Sequence, residues 1–199
     1  MAHVFLEMSM TLDGFTAGHG ASIDHPLGID GECVHEWIRN SVFHGAVPSD
    51  DARAAMFEST GAFVIGRRTF DVGEGPWGDD PVFQGRPCFV VTSRERDPYE
   101  RGGSRYEFVT GGVGAAVERA STAASAASVC IMGGADVARQ ALSANLVDEV
   151  RLHLAPFLLG GGTRLFPDAS EHRIDLGPTS VEQGALATHL RYRVLRTAA

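Results

Sequence analysis

Apolar positions along the chain follow two rhythms. Residues 3–9 alternate Val4, Leu6 and Met8 with Phe5, Glu7 and Ser9, the period of a strand whose two faces differ. Short, nearly unbroken apolar runs follow at residues 62–66, 88–92, 106–109 and 129–132, and a further strand pattern covers 149–155. Such runs read as strands buried on both faces. Helical patterns fill the intervals. Residues 33–40 predict a short helix, residues 113–127 an Ala-rich one, and residues 135–144 another. Ser49-Asp50-Asp51 reads as an N-cap followed by acidic residues, starting a helix that runs to about residue 59. A loop rich in Gly, His and Asp spans 14–31, and one rich in Gly, Pro and Trp spans 73–81. Near the end, residues 181–183 and 186–195 are strand-like and joined at Gly184-Ala185, which predicts an antiparallel hairpin. The alternation of β and α through residue 155, closed by that hairpin, predicts an α/β fold with a mostly parallel central sheet and antiparallel edges. No internal repeat and no Pro- or Ser-rich linker divides residues 1–199, so a single domain is expected.

Charge and cysteine usage narrow the function classes. The chain carries 17 Lys+Arg against 25 Asp+Glu, a formal charge of −8, and no basic stripe of the kind that displaces counterions from a nucleic-acid backbone. Nucleic acid is therefore not an expected partner. No apolar run reaches the roughly 18 residues that a membrane-spanning helix requires, and the first residues lack a secretory signal pattern, so neither membrane insertion nor export is expected. Cys33, Cys88 and Cys130 are odd in number and far apart, which fits a reducing, cytoplasmic setting. No closely spaced Cys/His cluster suggests a metal site.

In this acidic chain, three strand ends carry the chemistry of an anion site. Gly66-Arg67-Arg68-Thr69 offers two cations and a hydroxyl, and Thr92-Ser93-Arg94 offers two hydroxyls and a third arginine. Gly133-Gly134-Ala135-Asp136-Val137 is a strand–Gly–Gly–helix turn, where the missing Cβ lets a phosphate approach backbone N–H groups. Each also has a plain reading, as surface ion pairs or a structural turn. Together they point to a phosphorylated cofactor at the carboxyl edge of the sheet. Neither a complete G-x-G-x-x-G after the first strand nor a P-loop is present.

The ordered set Ser9-Met-Thr-Leu-Asp13-Gly14-Phe15, Ile65-Gly-Arg-Arg-Thr-Phe70, Met132-Gly-Gly-Ala-Asp-Val137, Leu146-Val-Asp-Glu-Val150 and Ala155-Pro-Phe-Leu-Leu-Gly-Gly-Gly-Thr-Arg-Leu-Phe166 resembles the dihydrofolate reductase superfamily. It is closest to the branch of the reductase domain of bacterial riboflavin-biosynthesis deaminase/reductases, over nearly the whole chain. The resemblance implies a dihydrofolate reductase-like three-layer fold with helices on both faces of the sheet. It also implies NADPH as cofactor, hydride transfer to a small heterocyclic or ribosylaminopyrimidine-like substrate, and a homodimer. Gly66, Arg67, Arg68 and Thr69 then match positions near the cofactor phosphates. Thr92, Ser93 and Arg94 fall where the 2′-phosphate is met, and Gly133, Gly134, Ala135 and Val137 on the pyrophosphate turn. Asp136 is expected to point away from that turn.

The nicotinamide would face Ser9, Asp13 and the loop 14–31, which resembles a lid. In folate-reducing members a helix carboxylate anchors the substrate, and the same spacing before Gly66 lands on Asp50, with Asp51 beside it. Asp50, Asp51 and Asp13 are thus the candidate catalytic carboxylates, and Ser9, Trp37 and Gly161 candidate substrate contacts. Solvent-exposed helix-start acids, a tight turn at Asp13-Gly14 and a core Trp37 are the plain readings of the same residues. Dihydrofolate reduction and a non-catalytic NADPH- or flavin-binding protein remain open beside the pyrimidine reductase.

Overall fold

The computed structural model of the protein describes residues 2–38, 57–79, 82–166 and 173–195. Its strands in chain order are β1 (Val4–Thr11), β2 (Phe15–Ala17), β3 (Thr60–Gly66), β4 (Cys88–Val91), β5 (Tyr99–Arg101), β6 (Ser104–Val109), β7 (Ser128–Ile131), β8 (Glu149–Ala155), β9 (Thr163–Arg164), β10 (Asp175–Gln183) and β11 (Thr188–Leu195). Three helices follow strands: α1 (Arg67–Trp77) after β3, α2 (Gly112–Ala124) after β6 and α3 (Ala135–Ser143) after β7. A 3-10 turn covers Gly31–His35. Among the described residues no helix is long and apolar enough to cross a membrane.

Nine strands form one mixed sheet in the order β10-β11-β8-β1-β7-β3-β4-β6-β5. The six from β8 to β6 run parallel, so their carboxyl ends share one edge, while the β10–β11 hairpin and β5 close the sides antiparallel. The two-faced alternation of β1 is realised in the packing. Val4 and Leu6 join the apolar layer formed with α2 and α3. Phe5 faces the other way, into an aromatic layer with Phe63, Phe70, Phe83 and Phe108 that α1 helps to cover. Ring pairs in that layer, such as Phe63–Phe83 at 4.8 Å and Phe70–Phe108 at 5.2 Å, add about 0.5–1.5 kcal/mol each beyond area burial. Cys88 and Cys130 are buried in it, and burial pushes both thiols well above their ordinary range.

Three expectations shift, and a fourth lies outside the described residues. Residues 73–77 are the last turn of α1 rather than a loop. Gly73 there lies against the Trp77 indole, where a side chain would collide, and Pro76 is accepted near the helix end. The hairpin strand reaches back to Asp175, and its turn spans 184–187, closed by Gly184 N–H to Ala187 O at 2.9 Å. Strand β6 gains an antiparallel partner, β5, through the positive-φ pair Gly102 and Gly103. Asp50 and Asp51 lie outside the described residues, as does most of the helix expected over 49–59.

Helix α2 approaches the sheet closely because it presents Ala116, Ala120 and Ala124 to Gly61 and its neighbours. A Cβ on Gly61 would lie 2.8 Å from Ala124 Cα and 2.9 Å from Ala124 O. Gly61→Ala should therefore cost about 1–3 kcal/mol, read as a lower denaturation midpoint at unchanged slope. A change under about 0.5 kcal/mol would show that the helix yields at no cost.

Candidate active site

The parallel order β7-β3-β4 places the turns at 132–137, 66–69 and 92–94 side by side on one edge. The first two are in contact. Gly66 N–H donates to Gly133 O at 2.7 Å, and Met132 N–H to Val64 O at 3.0 Å. A Cβ on Gly66 would meet Val137 Cγ2 at 3.1 Å, and one on Gly134 would meet Thr69 Oγ1 at 3.1 Å. Gly133 has φ +113, a conformation that favours glycine. Side chains at these positions would force the two strand ends apart.

This junction is also where two helices begin. Gly66 is the N-cap of α1 and Gly134 that of α3, and neither helix has a side-chain cap. Their first N–H groups and the positive ends of both dipoles therefore converge on one stretch of the edge. Helix α2 starts at the same edge from Gly111, again without a side-chain cap. Arg67, Arg68 and Thr69, expected at a strand-end turn, form the first turn of α1. Asp136 turns along α3 and accepts from Arg139 at 3.0 Å and Gln140 at 2.7 Å, away from the turn.

The three arginines differ. Arg67 pairs with Asp71 at 2.7 Å and lies 5.7 Å from the Phe108 ring. Arg68 donates to the carbonyl of Ala21. The side chain of Arg94 has no partner among the described residues, while Thr92 Oγ1 shapes its turn by accepting from Arg94 N–H at 3.1 Å. Ser93 is exposed beside it. Next to this turn an open groove of about 410 Å³ is lined by Glu95, Arg96, Asp97, Phe108 and Thr110. Arg96 lies over the rings of Phe70, Tyr99 and Phe108 at 4.9–5.2 Å. An anion can recruit Arg67 cheaply, because a half-exposed ion pair such as Arg67–Asp71 contributes only about 0–1 kcal/mol.

Asp13 is committed to structure. Its carboxylate accepts from the Thr11 hydroxyl, from Leu159 N–H at 3.1 Å and from Gly160 N–H at 2.7 Å. Chiefly the Thr11 hydrogen bond lowers its pKa to about 2. Asp13 is thus ionised at neutral pH, and a proton-donor role suits it poorly. The carboxylate ties the end of β1 to the loop after β8.

The loop 14–31 is more built than a mobile lid requires. β2 pairs with β9, Gly18 N–H donates to Leu27 O at 2.8 Å, and Ile29 N–H to His19 O at 2.9 Å. Gly161 lies against the His19 ring where a Cβ would collide, and Gly162 packs in the same way on Ala17. Arg68 secures the loop from α1.

Trp37 is buried, and its Nε1–H donates to Ser9 Oγ at 3.0 Å. Beneath them lies a polar group that sequence reading passed over. Ser9, His153 and His189 are register partners across β1, β8 and β11, as are Glu7, Arg151 and Arg191 one row below. His153 Nε2 is 2.7 Å from Glu7 Oε1, and its Nδ1 is 2.7 Å from His189 Nδ1. The Trp37 ring lies tilted against His153, centres 4.0 Å apart, and meets His189 edge-on at 5.1 Å. Arg151 approaches Glu7 at 3.6 Å and Glu149 at 2.5 Å. The available signal was Glu7 and His153 at inward strand positions between apolar neighbours.

Asp13→Asn should free the 157–161 loop, measured as faster amide exchange at Leu159 and Gly160. Because the folded carboxyl titrates below its ordinary 3.8, its stabilisation is complete above about pH 4 and lost as pH falls toward 2. The stability gap between wild type and variant should follow that window. A gap that closes already at pH 5 would place the anchor elsewhere.

Comparison with known proteins gives a consistent result. Residues 2–190 match the model of the RibD C-terminal domain family. No functionally curated protein matches the sequence. Among solved structures, a protein of Shewanella sp. PV-4 assigned to riboflavin biosynthesis is similar at TM-score 0.73 and 21% identity, covering 98% of this chain and 100% of that one. The Thermotoga maritima diaminohydroxyphosphoribosylaminopyrimidine deaminase/5-amino-6-(5-phosphoribosylamino)uracil reductase aligns at TM-score 0.62 and 16% identity, over 98% of this chain and 57% of that one. Dihydrofolate reductase from Enterococcus faecalis, solved with NADP(H), aligns at TM-score 0.52 and 16% identity, over 96% of each chain. The fold is dihydrofolate reductase-like, and the chain belongs to the RibD C-terminal domain family of reductases.

Proposed function

We propose that the protein is an NADPH-dependent reductase of a ribosylaminopyrimidine-like substrate. The observation that carries this reading is the junction at Gly66, Gly133 and Gly134. There two helix N-termini without side-chain caps meet beside three glycines, a polarity and backbone access that suit a pyrophosphate. Gly66, Thr69, Gly133, Gly134, Ala135 and Val137 would form that cradle, with Arg67 and Arg68 at its rim. Ser93 and Arg94 would take the 2′-phosphate, and the groove beside Arg96 the adenosine. Membership in a reductase family agrees with these assignments. When bound, the cofactor supplies the hydride, and the protein supplies orientation and exclusion of water.

Ser9, Trp37 and Gly161 lie around the carboxyl end of β1, on the side where the substrate would be held. Asp50 and Asp51 remain the candidate acids, because the depressed pKa of Asp13 fits an anchor better than a donor. A homodimer belongs to the same reading.

Arg94→Ala should weaken NADPH binding about tenfold and leave NADH binding within twofold, since one charge-assisted contact is worth about 1.5–3 kcal/mol. Arg67→Ala should have a smaller effect in the same direction, because Asp71 competes for that guanidinium. Fluorescence titration of both cofactors decides it, and an unchanged NADPH/NADH ratio in both variants removes the arginines from the site. Reduction of 5-amino-6-(5-phosphoribosylamino)uracil should fall at least 100-fold in Asp50→Asn or Asp51→Asn, the size of a lost general acid. Full activity in both variants retires that role.

A further inference from the structure

Two contacts hold the loop at 14–31 from opposite sides of the carboxyl edge. On one side the His19 ring fills the space against Gly161. The amides just before that glycine, Leu159 and Gly160, are tied to Asp13 at the end of β1. On the other side Arg68, in the first turn of α1, donates from Nη2 to the carbonyl oxygen of Ala21. In the strand order β1-β7-β3 the end of β7, which runs into Met132 and Gly133, lies between these two holds. Residues 19–21 thus bridge the stretch of edge where a nicotinamide beside the glycine cradle would face its hydride acceptor.

The two holds differ in kind. The base of the loop is built from many bonds: β2 pairs with β9, Gly18 N–H donates to Leu27 O, and Ile29 N–H to His19 O. Gly18, Gly28 and Gly31 sit so close to facing backbone that a Cβ on any of them would collide. The tip is joined to the rest less firmly. Its own turn is closed internally, by Ser22 N–H to His25 O and by His25 N–H to Ser22 Oγ. Among the described residues, the bond from Arg68 is the hydrogen bond that links residues 19–26 to another element. Ile23 is 69% exposed, so burial adds little hold there.

Arg68 is exposed, and its acceptor is a neutral carbonyl. A phosphate is charged and can accept two guanidinium N–H groups at once, so it outcompetes a carbonyl for the same side chain. Arg67 is no equivalent, because it is engaged within α1 by Asp71 at 2.7 Å.

We propose that Arg68 is a latch. In the free protein it holds the tip of the 14–31 loop across the end of β7. A phosphorylated cofactor bound at the Gly66–Gly133–Gly134 junction draws the guanidinium away and releases the tip. The release rests on the phosphate-site reading; the hold itself does not. Arg68 is thereby a positioning residue that acts through the loop as well as a cation beside the phosphates. Cofactor binds first, and substrate enters the space that the tip vacates.

Amide exchange over residues 18–29 reads the latch without turnover. Gly18, Ser22 and Ile29 carry hydrogen-bonded amides of the loop, which exchange through its local opening. The probe is 2′-phospho-ADP-ribose, which carries the phosphates of NADPH and has no nicotinamide ring to shield the loop. Arg68→Ala changes an exposed side chain and leaves the core intact. It should speed exchange at the three amides about tenfold in the free protein, the factor set by one charge-assisted hydrogen bond partly screened by solvent. Arg67→Ala should leave them within about twofold, as a change that leaves the loop's opening unaltered. Saturating probe, with binding confirmed by thermal shift, should raise wild-type exchange to the level of Arg68→Ala and change that variant no further. Equal rates in free wild type and free Arg68→Ala overturn the hold. Bound probe with wild-type exchange unchanged or slowed overturns the release while the phosphate site stands. Failure of the probe to bind removes the phosphate site, and the release with it.

Discussion

The close approach of two strand ends governs this molecule. Gly66 donates to the carbonyl of Gly133 across β3 and β7, and no Cβ stands between the chains there. That contact brings the N-termini of α1 and α3 to one stretch of the edge, although the helices cover opposite faces of the sheet. Two helix dipoles then act at one place, and the N–H groups that a side chain would ordinarily cap are left facing outward. A larger residue at Gly66 or Gly134 would press on the side chains of Val137 and Thr69, in the packing and at the candidate anion site together. Stability and candidate function thus depend on the same missing atoms.

The other half of the carboxyl edge works by different means. Around β1 and β8 the chain spends polar groups on holding backbone in place. Asp13 gathers the 157–161 loop, Arg164 donates to the Asp13 carbonyl at 3.1 Å, and Arg68 ties down the loop that follows β1. Under this collar the strand faces turn polar, with Glu7, Arg151, His153 and His189 where the rest of the sheet places Phe5, Phe63 and Cys130. Arg151 and Arg191 stand opposite each other across β8 and β11, an arrangement that costs stability unless carboxylates are near. Glu7 and Glu149 meet that need for Arg151. One end of the sheet is an apolar wall with a glycine-lined corner, the proposed phosphate site, and the other carries a buried polar cluster.

Legibility followed the range of the interaction. The buried strands at 62–66, 88–92 and 129–132 were readable because their apolar runs are short and rich in β-branched and aromatic residues, which favours a doubly covered strand over a helix. The turns after them suggest anion-binding chemistry already in the sequence because glycine, arginine and hydroxyl residues cluster locally. The last turn of α1 was misread as a loop, since Gly73, Gly75 and Pro76 argue against helix locally. What overrides them is the packing of Phe70 and Gly73 against the aromatic layer. Nor could the sequence tell that Asp13 would be held by amides at Leu159 and Gly160, far away along the chain.

By itself, then, the sequence determined a mostly parallel α/β sheet ending in a hairpin, and three strand ends rich in glycine, arginine and hydroxyl residues. Periodicity and glycine placement are local properties of the chain, and they suffice for that. Only the tertiary structure decided that β7, β3 and β4 are neighbours, and so that the three turns share one edge. It alone paired Glu7 with His153 and His189, residues whose meeting depends on the register of three strands, β1, β8 and β11. Strand order and register come from the summed burial of whole faces, and no short segment of sequence carries that sum.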